Sequence, residues 1–322
     1  MSEAGNEVSG VRVNVFPGGF NWGLYVGIDK GLFARHGLAV TVAGTPNSVA
    51  QMTALSQGRC EIVMTAVDNI VAYVEGQGEA PIGAQPDFFA FMGSDSGFLS
   101  LVTAPGIDRV GALAGRTLSV DALTTGYAFV LYDILRRSGL ARDACRVRRV
   151  GGMVQRWNSL RDRNEDGTLL SAPYNLIARQ HGFVDLVAAK AVLGRYQGNV
   201  AAARRSWARE HAAEVVAYIR GYREAIAWLY RPENRAEAVA ILRRNLPQMP
   251  QDVAAASHAV LLDPDDGFFP GCGIDLDGLA SVLDLRGRWS DQQTTLGDPL
   301  KYCDLHYFEA ATGKRSGKRS GK

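Results

Sequence analysis

The sequence predicts an α/β fold of two related lobes with a ligand cleft between them, and three observations carry that expectation. Short apolar, β-branched segments alternate with helical periods along most of the 322-residue chain. Two strand–loop–helix units about a hundred residues apart place small polar residues and aromatics at helix starts. With 47% hydrophobic and 21% charged residues, the chain can bury a core large enough for two domains.

The first unit begins with an alternating strand over 11–16. The glycine-rich loop Pro17-Gly18-Gly19-Phe20-Asn21-Trp22-Gly23 follows, and a helix over 24–33. A strand at 40–43, a helix at 48–57, a strand at 61–64 and a helix at 69–75 continue the alternation. Strands at 88–92 and 99–103 close the first series.

Residues 109–140 hold the second unit. The turn Leu113-Ala114-Gly115-Arg116 leads into a strand over 117–120, and Thr124-Thr125-Gly126 opens a helix with apolar positions Tyr127, Val130, Leu131, Ile134 and Leu135. A helix N-terminus at the carboxyl end of a strand, with two hydroxyls beside it, is where an open α/β sheet takes polar or anionic groups. Beyond it the pattern predicts a strand at 147–150, a helix at 155–161, a strand at 168–171 and a helix at 175–181. A long helical stretch over 200–229 and another helix over 235–244 follow, returning to the first lobe.

The formal net charge is +2, but the last nine residues, KRSGKRSGK, contribute five positive charges. Without them the body is slightly acidic, and no basic face with interleaved aromatics points to nucleic acid. The tail reads as a solvated end. No window of about 18 apolar residues predicts a membrane span, and the polar start lacks the pattern of a secretory signal. Cys60, Cys145, Cys272 and Cys303 have no paired or metal-type spacing, nor do the five histidines. Asp162 to Gly167 copies half a calcium loop, yet its twelfth position is Pro173 where a glutamate is needed. Neither a metal nor a cofactor is expected.

Gly31-Leu32-Phe33-Ala34-Arg35-His36-Gly37-Leu38, Ala54 to Gly58 with Glu61-Ile62-Val63, Leu113 to Thr117, and Ser171-Ala172-Pro173 with Gly182-Phe183 stand in order along the chain. This set resembles the ABC-transporter solute-binding proteins of the nitrate, sulfonate, taurine and pyrimidine-precursor group, which includes thiamin-pyrimidine synthesis-like proteins. The resemblance implies a type II periplasmic-binding-protein fold, with two α/β lobes joined by a two-strand hinge. It places lobe 1 at 11–103 plus 194–310 and lobe 2 at 104–193, with crossings at 101–104 and 193–196 and disordered tails at 1–10 and 311–322. It also implies a monomer that closes on a small solute and is read by an ABC permease. The family setting implies the periplasm; the missing signal leaves the cytoplasm as the alternative.

Candidate ligand residues follow from the loops at strand ends. Asn21 and Trp22 offer an amide and an aromatic face. Asn47 and Ser48 open a helix and serve equally as caps. Thr65 and Asp68 end a strand and begin a helix, Asp68 reading as an N-cap or an acceptor for a ligand amine. Asp121, Thr124, Thr125, Gly126 and Tyr127 are the strongest set, because two consecutive hydroxyls exceed what one cap requires. Arg156, matching an arginine common in the group, offers a bidentate partner for an acidic group. Pro173 and Tyr174 complete the wall.

The expected function is capture of a small organic anion or polar heterocycle, such as a sulfonate, an aromatic carboxylate or a pyrimidine. A cytosolic enzyme or a sensor on the same fold is the alternative, although no G-x-S-x-G, Walker loop or Cys-rich iron segment is present.

Overall fold

The computed structural model describes residues 8–83 and 86–313. The chain enters through β1 (Ser9–Val15), whose Val11, Val13 and Val15 are buried while Arg12 points outward to Glu61. Then come α1 (Trp22–Asp29), β2 (Leu38–Gly44), α2 (Ser48–Ser56), β3 (Ile62–Ala66), α3 (Val67–Val74) and β4 (Phe88–Gly93). Residues 94–99 cross to a second sheet, built from β5 (Ser100–Thr103), β6 (Thr117–Val120), α4 (Gly126–Arg137), β7 (Arg146–Arg149), α5 (Met153–Arg161), β8 (Gly167–Leu170), α6 (Tyr174–Gln180), β9 (Val184–Ala188) and α7 (Ala189–Leu193). Residues 194–198 lead back into β10 (Asn199–Arg204), α8 (Arg205–Glu210), α9 (Ala212–Leu229), α10 (Arg235–Asn245), α11 (Gln251–Leu261), α12 (Leu276–Trp289) and α13 (His306–Thr312).

The sheets run β2-β1-β3-β10-β4 and β7-β6-β8-β5-β9. They share one plan. In each, the fourth position is an antiparallel strand delivered from the other lobe: β10 follows β9, and β5 follows β4. The two crossing segments are stitched to one another and to the first sheet by backbone bonds from Ser94 to Asn199 (2.9 Å), Gly198 to Asp95 (2.8 Å) and Val67 to Gly198 (2.9 Å). Asp95 is fully buried there and accepts from Gly97 N (2.9 Å), Asn199 N (3.0 Å) and Asn199 Nδ2 (3.1 Å).

Three expectations need correction. Residues 199–204 are a strand, not the start of a long helix. Their alanines favour a helix in isolation, but the slot between β3 and β4 pairs both edges of the segment, and the small side chains fit beneath the covering helices. The first crossing lies at 94–99 and not at 101–104: β5 pairs with β8 and β9, so it belongs to the second sheet rather than to a first lobe ending at 103. Ser9 and Gly10 are no tail either, since they pair with Leu38 and Ala39, and α13 includes Ala311 and Thr312. The KRSGKRSGK segment and residues 1–7 lie outside the described residues. No helix among the described residues is long and apolar enough to cross a membrane.

Candidate functional site

A cavity lies at the carboxyl ends of β1, β3, β6 and β7, where open sheets of this kind bind ligands. Phe16, Phe20, Ala66, Asn69 and Asn199 line it from the first lobe, and Asp121, Thr125, Gly126, Tyr127, Gly152, Met153 and Arg156 from the second. The space between these walls is about 500 Å³ with its mouth. Backbone contact already joins the rims, since Gly152 N donates to Pro46 O at 3.1 Å.

Arg156 sets the electrostatics. Burial leaves it 2% exposed. Its Nε donates to Gly151 O (3.1 Å) and its Nη1 to Leu169 O and Thr168 Oγ1 (3.4 Å), while Nη2 donates to no group among the described residues. Among the described residues, no carboxylate pairs with it directly. Burial pulls its pKa down, partly offset by the charge of Asp121, and the guanidinium stays protonated. A buried cation without an ion-pair partner, lining a cavity, is a site for a ligand's negative charge.

The start of α4 adds to the same field. Thr125 is its N-cap residue, but the hydroxyl makes no capping bond, so it and the unpaired first-turn N–H groups are free for a ligand. The same cavity also holds acceptors without donors. Asn69 is 5% exposed and gives its Nδ2 to Thr65 Oγ1 (2.8 Å), which leaves its buried Oδ1 unpartnered. Asp121 Oδ1 is likewise buried and unpartnered. Burial raises the Asp121 pKa; the Arg156 charge and the neighbouring Ser48 act in the opposite direction. Burial also raises the Tyr127 phenol.

Five of the residues expected from sequence therefore meet in one cavity: Asp121, Thr125, Gly126, Tyr127 and Arg156. Asn47 and Ser48 sit at a neighbouring opening with Glu79, Asp121 and Arg149, and Asn47 Oδ1 caps α2 through Ala50 N (2.8 Å). Thr65 is fully buried behind Asn69. Thr124 turns away to Glu79, donating at 2.9 Å.

The remaining expectations are corrected. Trp22 is a fully buried core residue whose Nε1 donates to Ala238 O (2.9 Å), and its ring meets His258 edge-on. Asn21 is buried too and fastens the glycine loop through Phe16 O (2.6 Å). Asp68 is neither an N-cap nor a cavity residue: α3 starts from Ala66, and the carboxylate is bound by Arg286. Pro173 and Tyr174 line a separate groove with Trp157 and Pro247 to Pro250. Among the residues not expected from sequence, Phe16 precedes the glycine loop, Phe20 lies within it and Asn69 stands four positions past Thr65, so all three had a local signal. Asn199 and Arg286 had none.

The chain resembles several solved structures along nearly its whole length. A ligand-binding component of an ABC-type import system from Staphylococcus aureus, with zinc bound, has TM-score 0.76 and 12% identity, covering 95% of this chain and 100% of that one. The periplasmic aliphatic sulphonate-binding protein of Escherichia coli has TM-score 0.70 and 16% identity, covering 97% of each. A Candida albicans protein exhibiting the generic periplasmic binding protein fold has TM-score 0.69 and 13% identity, over 91% of this chain and 93% of that one. No curated protein matches the sequence. The sequence profile of the NMT1-like family matches residues 4–243. The chain belongs to the NMT1-like family. The two sheets with exchanged fourth strands are the periplasmic binding protein fold, and the NMT1-like match spans both lobes and the cavity between them. Among the described residues, no three His, Cys, Asp or Glu side chains gather as a metal site would need.

Proposed function

We propose that this NMT1-like protein is the solute-binding component of an ABC importer, working in the periplasm and closing its lobes on a small organic anion. The observation that carries the reading is Arg156, a buried guanidinium in the interlobe cavity that has, among the described residues, no partner for Nη2 and no carboxylate partner. Thr125 and the first turn of α4 reinforce the anionic end. The match to the NMT1-like family and the likeness to import-system and sulphonate-binding proteins support the same role.

Two buried acceptors narrow the ligand, one on each wall. Asp121 Oδ1 and Asn69 Oδ1 ask for N–H or O–H donors, since a buried acceptor left unpaired costs about 1–3 kcal/mol. The favoured ligand is a sulfonate or carboxylate carrying an amine or hydroxyl. The likeness to binding proteins supports capture over catalysis, and Asp121 is the lining carboxylate on which an enzyme reading would rest.

Thermal-shift titration with matched pairs tests this: ethanesulfonate against 2-aminoethanesulfonate, and propionate against β-alanine, with nitrate and a pyrimidine alongside. Ligand at a hundred times its Kd stabilises by about 2.7 kcal/mol, a rise of about 4 °C for a chain of this length. The amino-bearing member should give the larger shift. A flat panel, or a compound consumed on binding, contradicts the proposal.

A further inference from the structure

We infer that Glu79 is a latch between the two lobes and Thr124 the residue it holds, so that Glu79 fixes the start of α4 beside the cavity. The inference rests on the solute-binding reading of that cavity. Glu79 belongs to the first lobe, between α3 and β4, and its side chain is 16% exposed. Both of its partners belong to the second lobe: Oε1 accepts from Thr124 Oγ1 at 2.9 Å, and Oε2 pairs with Arg149 Nη2. Thr124 follows β6 and Arg149 ends β7, so one carboxylate spans two strand ends of the opposite lobe.

The first lobe grips the same loop again from the other side. Arg286 Nη2 donates to the Thr124 carbonyl at 3.0 Å, and its Nη1 to Gln77 Oε1 at 2.6 Å, two residues before Glu79. Gly126 presses directly on Asp68, where an added Cβ would come within 2.6 Å of the Asp68 Cβ. Residues 124–126 are thus fixed at a hydroxyl, a carbonyl and a Cα by the first lobe. They are the residues that set the position of Thr125 and of the first turn of α4.

The ion pair alone is weak, because Arg149 is 56% exposed and a surface pair of this kind contributes little. The half-buried hydrogen bond to Thr124 gives the latch its strength and places the α4 start, which makes Glu79 and Thr124 positioning residues rather than ligand contacts.

Amide hydrogen exchange on the ligand-free full chain tests this. Glu79→Ala should speed exchange over residues 122–130 by about fivefold, the effect of losing one hydrogen bond, and leave α9 unchanged. Glu79→Gln keeps an acceptor for Thr124 and should restore most of the protection. Unchanged exchange over 122–130 in Glu79→Ala, or equal acceleration in α9, would overturn the latch; Glu79→Gln as fast as Glu79→Ala would overturn Thr124 as the residue held. Because no ligand is used, a flat ligand panel would defeat the transport reading while leaving this result to stand.

Discussion

Arg286 and Asp68 form a fully buried two-point ion pair, with Nε to Oδ1 at 2.7 Å and Nη2 to Oδ2 at 2.5 Å. The guanidinium also lies over the Phe129 ring at 4.9 Å, which ties α12 and α3 of the first lobe to α4 of the second. Removing one partner leaves a buried charge alone. Asp68→Ala should therefore cost about 3–5 kcal/mol in urea-induced unfolding, and the double variant Asp68→Leu, Arg286→Met should regain most of it.

Trp22 has a structural role, and its substitution separates stability from binding. Trp22→Phe leaves the Ala238 carbonyl without its donor and a gap beside His258. Denaturant midpoints should report a loss of about 1–3 kcal/mol. Ligand affinity measured on the folded variant should stay the same.

These two residues show what the sequence made legible. The alternation of strands and helices, the glycine loop, and the meeting of Asp121, Thr125, Gly126 and Tyr127 with Arg156 are all readable, because their signals are local: period, turn chemistry and a helix start. Trp22 and Asp68 misled for one reason. Whether a side chain at a strand end faces the cleft or the core depends on partners over two hundred positions away, Ala238 and Arg286. The alanine run of β10 misled in the same way, since its strand state comes from two neighbours that deliver both edges.

The hinge depends on Asp95. Its carboxylate satisfies Gly97 N and both the backbone and side-chain amides of Asn199, and Asn199 lines the cavity. Asp95→Ala would strand several buried donors at once. A loss of about 2–4 kcal/mol in calorimetric unfolding is expected, with weaker ligand binding because Asn199 is released.

Binding should depend on pH through Asp121. Burial raises its pKa, so on acidification it takes up a proton before an ordinary aspartate, which titrates near about 3.9. An amino-bearing anion then loses its carboxylate acceptor, and its affinity should fall as the pH drops through that raised value. A plain anion instead escapes a neighbouring negative charge, and its affinity should rise. Asp121→Asn should flatten both profiles in titrations between about pH 4 and pH 8.

Calorimetric titration of 2-aminoethanesulfonate or β-alanine, whichever gives the larger thermal shift, into the wild-type chain and into Arg156→Gln tests the central claim most directly. Losing a buried charge-assisted hydrogen bond of about 1.5–3 kcal/mol should raise the Kd by about tenfold or more while the variant remains folded. An unchanged Kd in folded Arg156→Gln would show that the anion is not held by this guanidinium, and the cavity would not be the solute site.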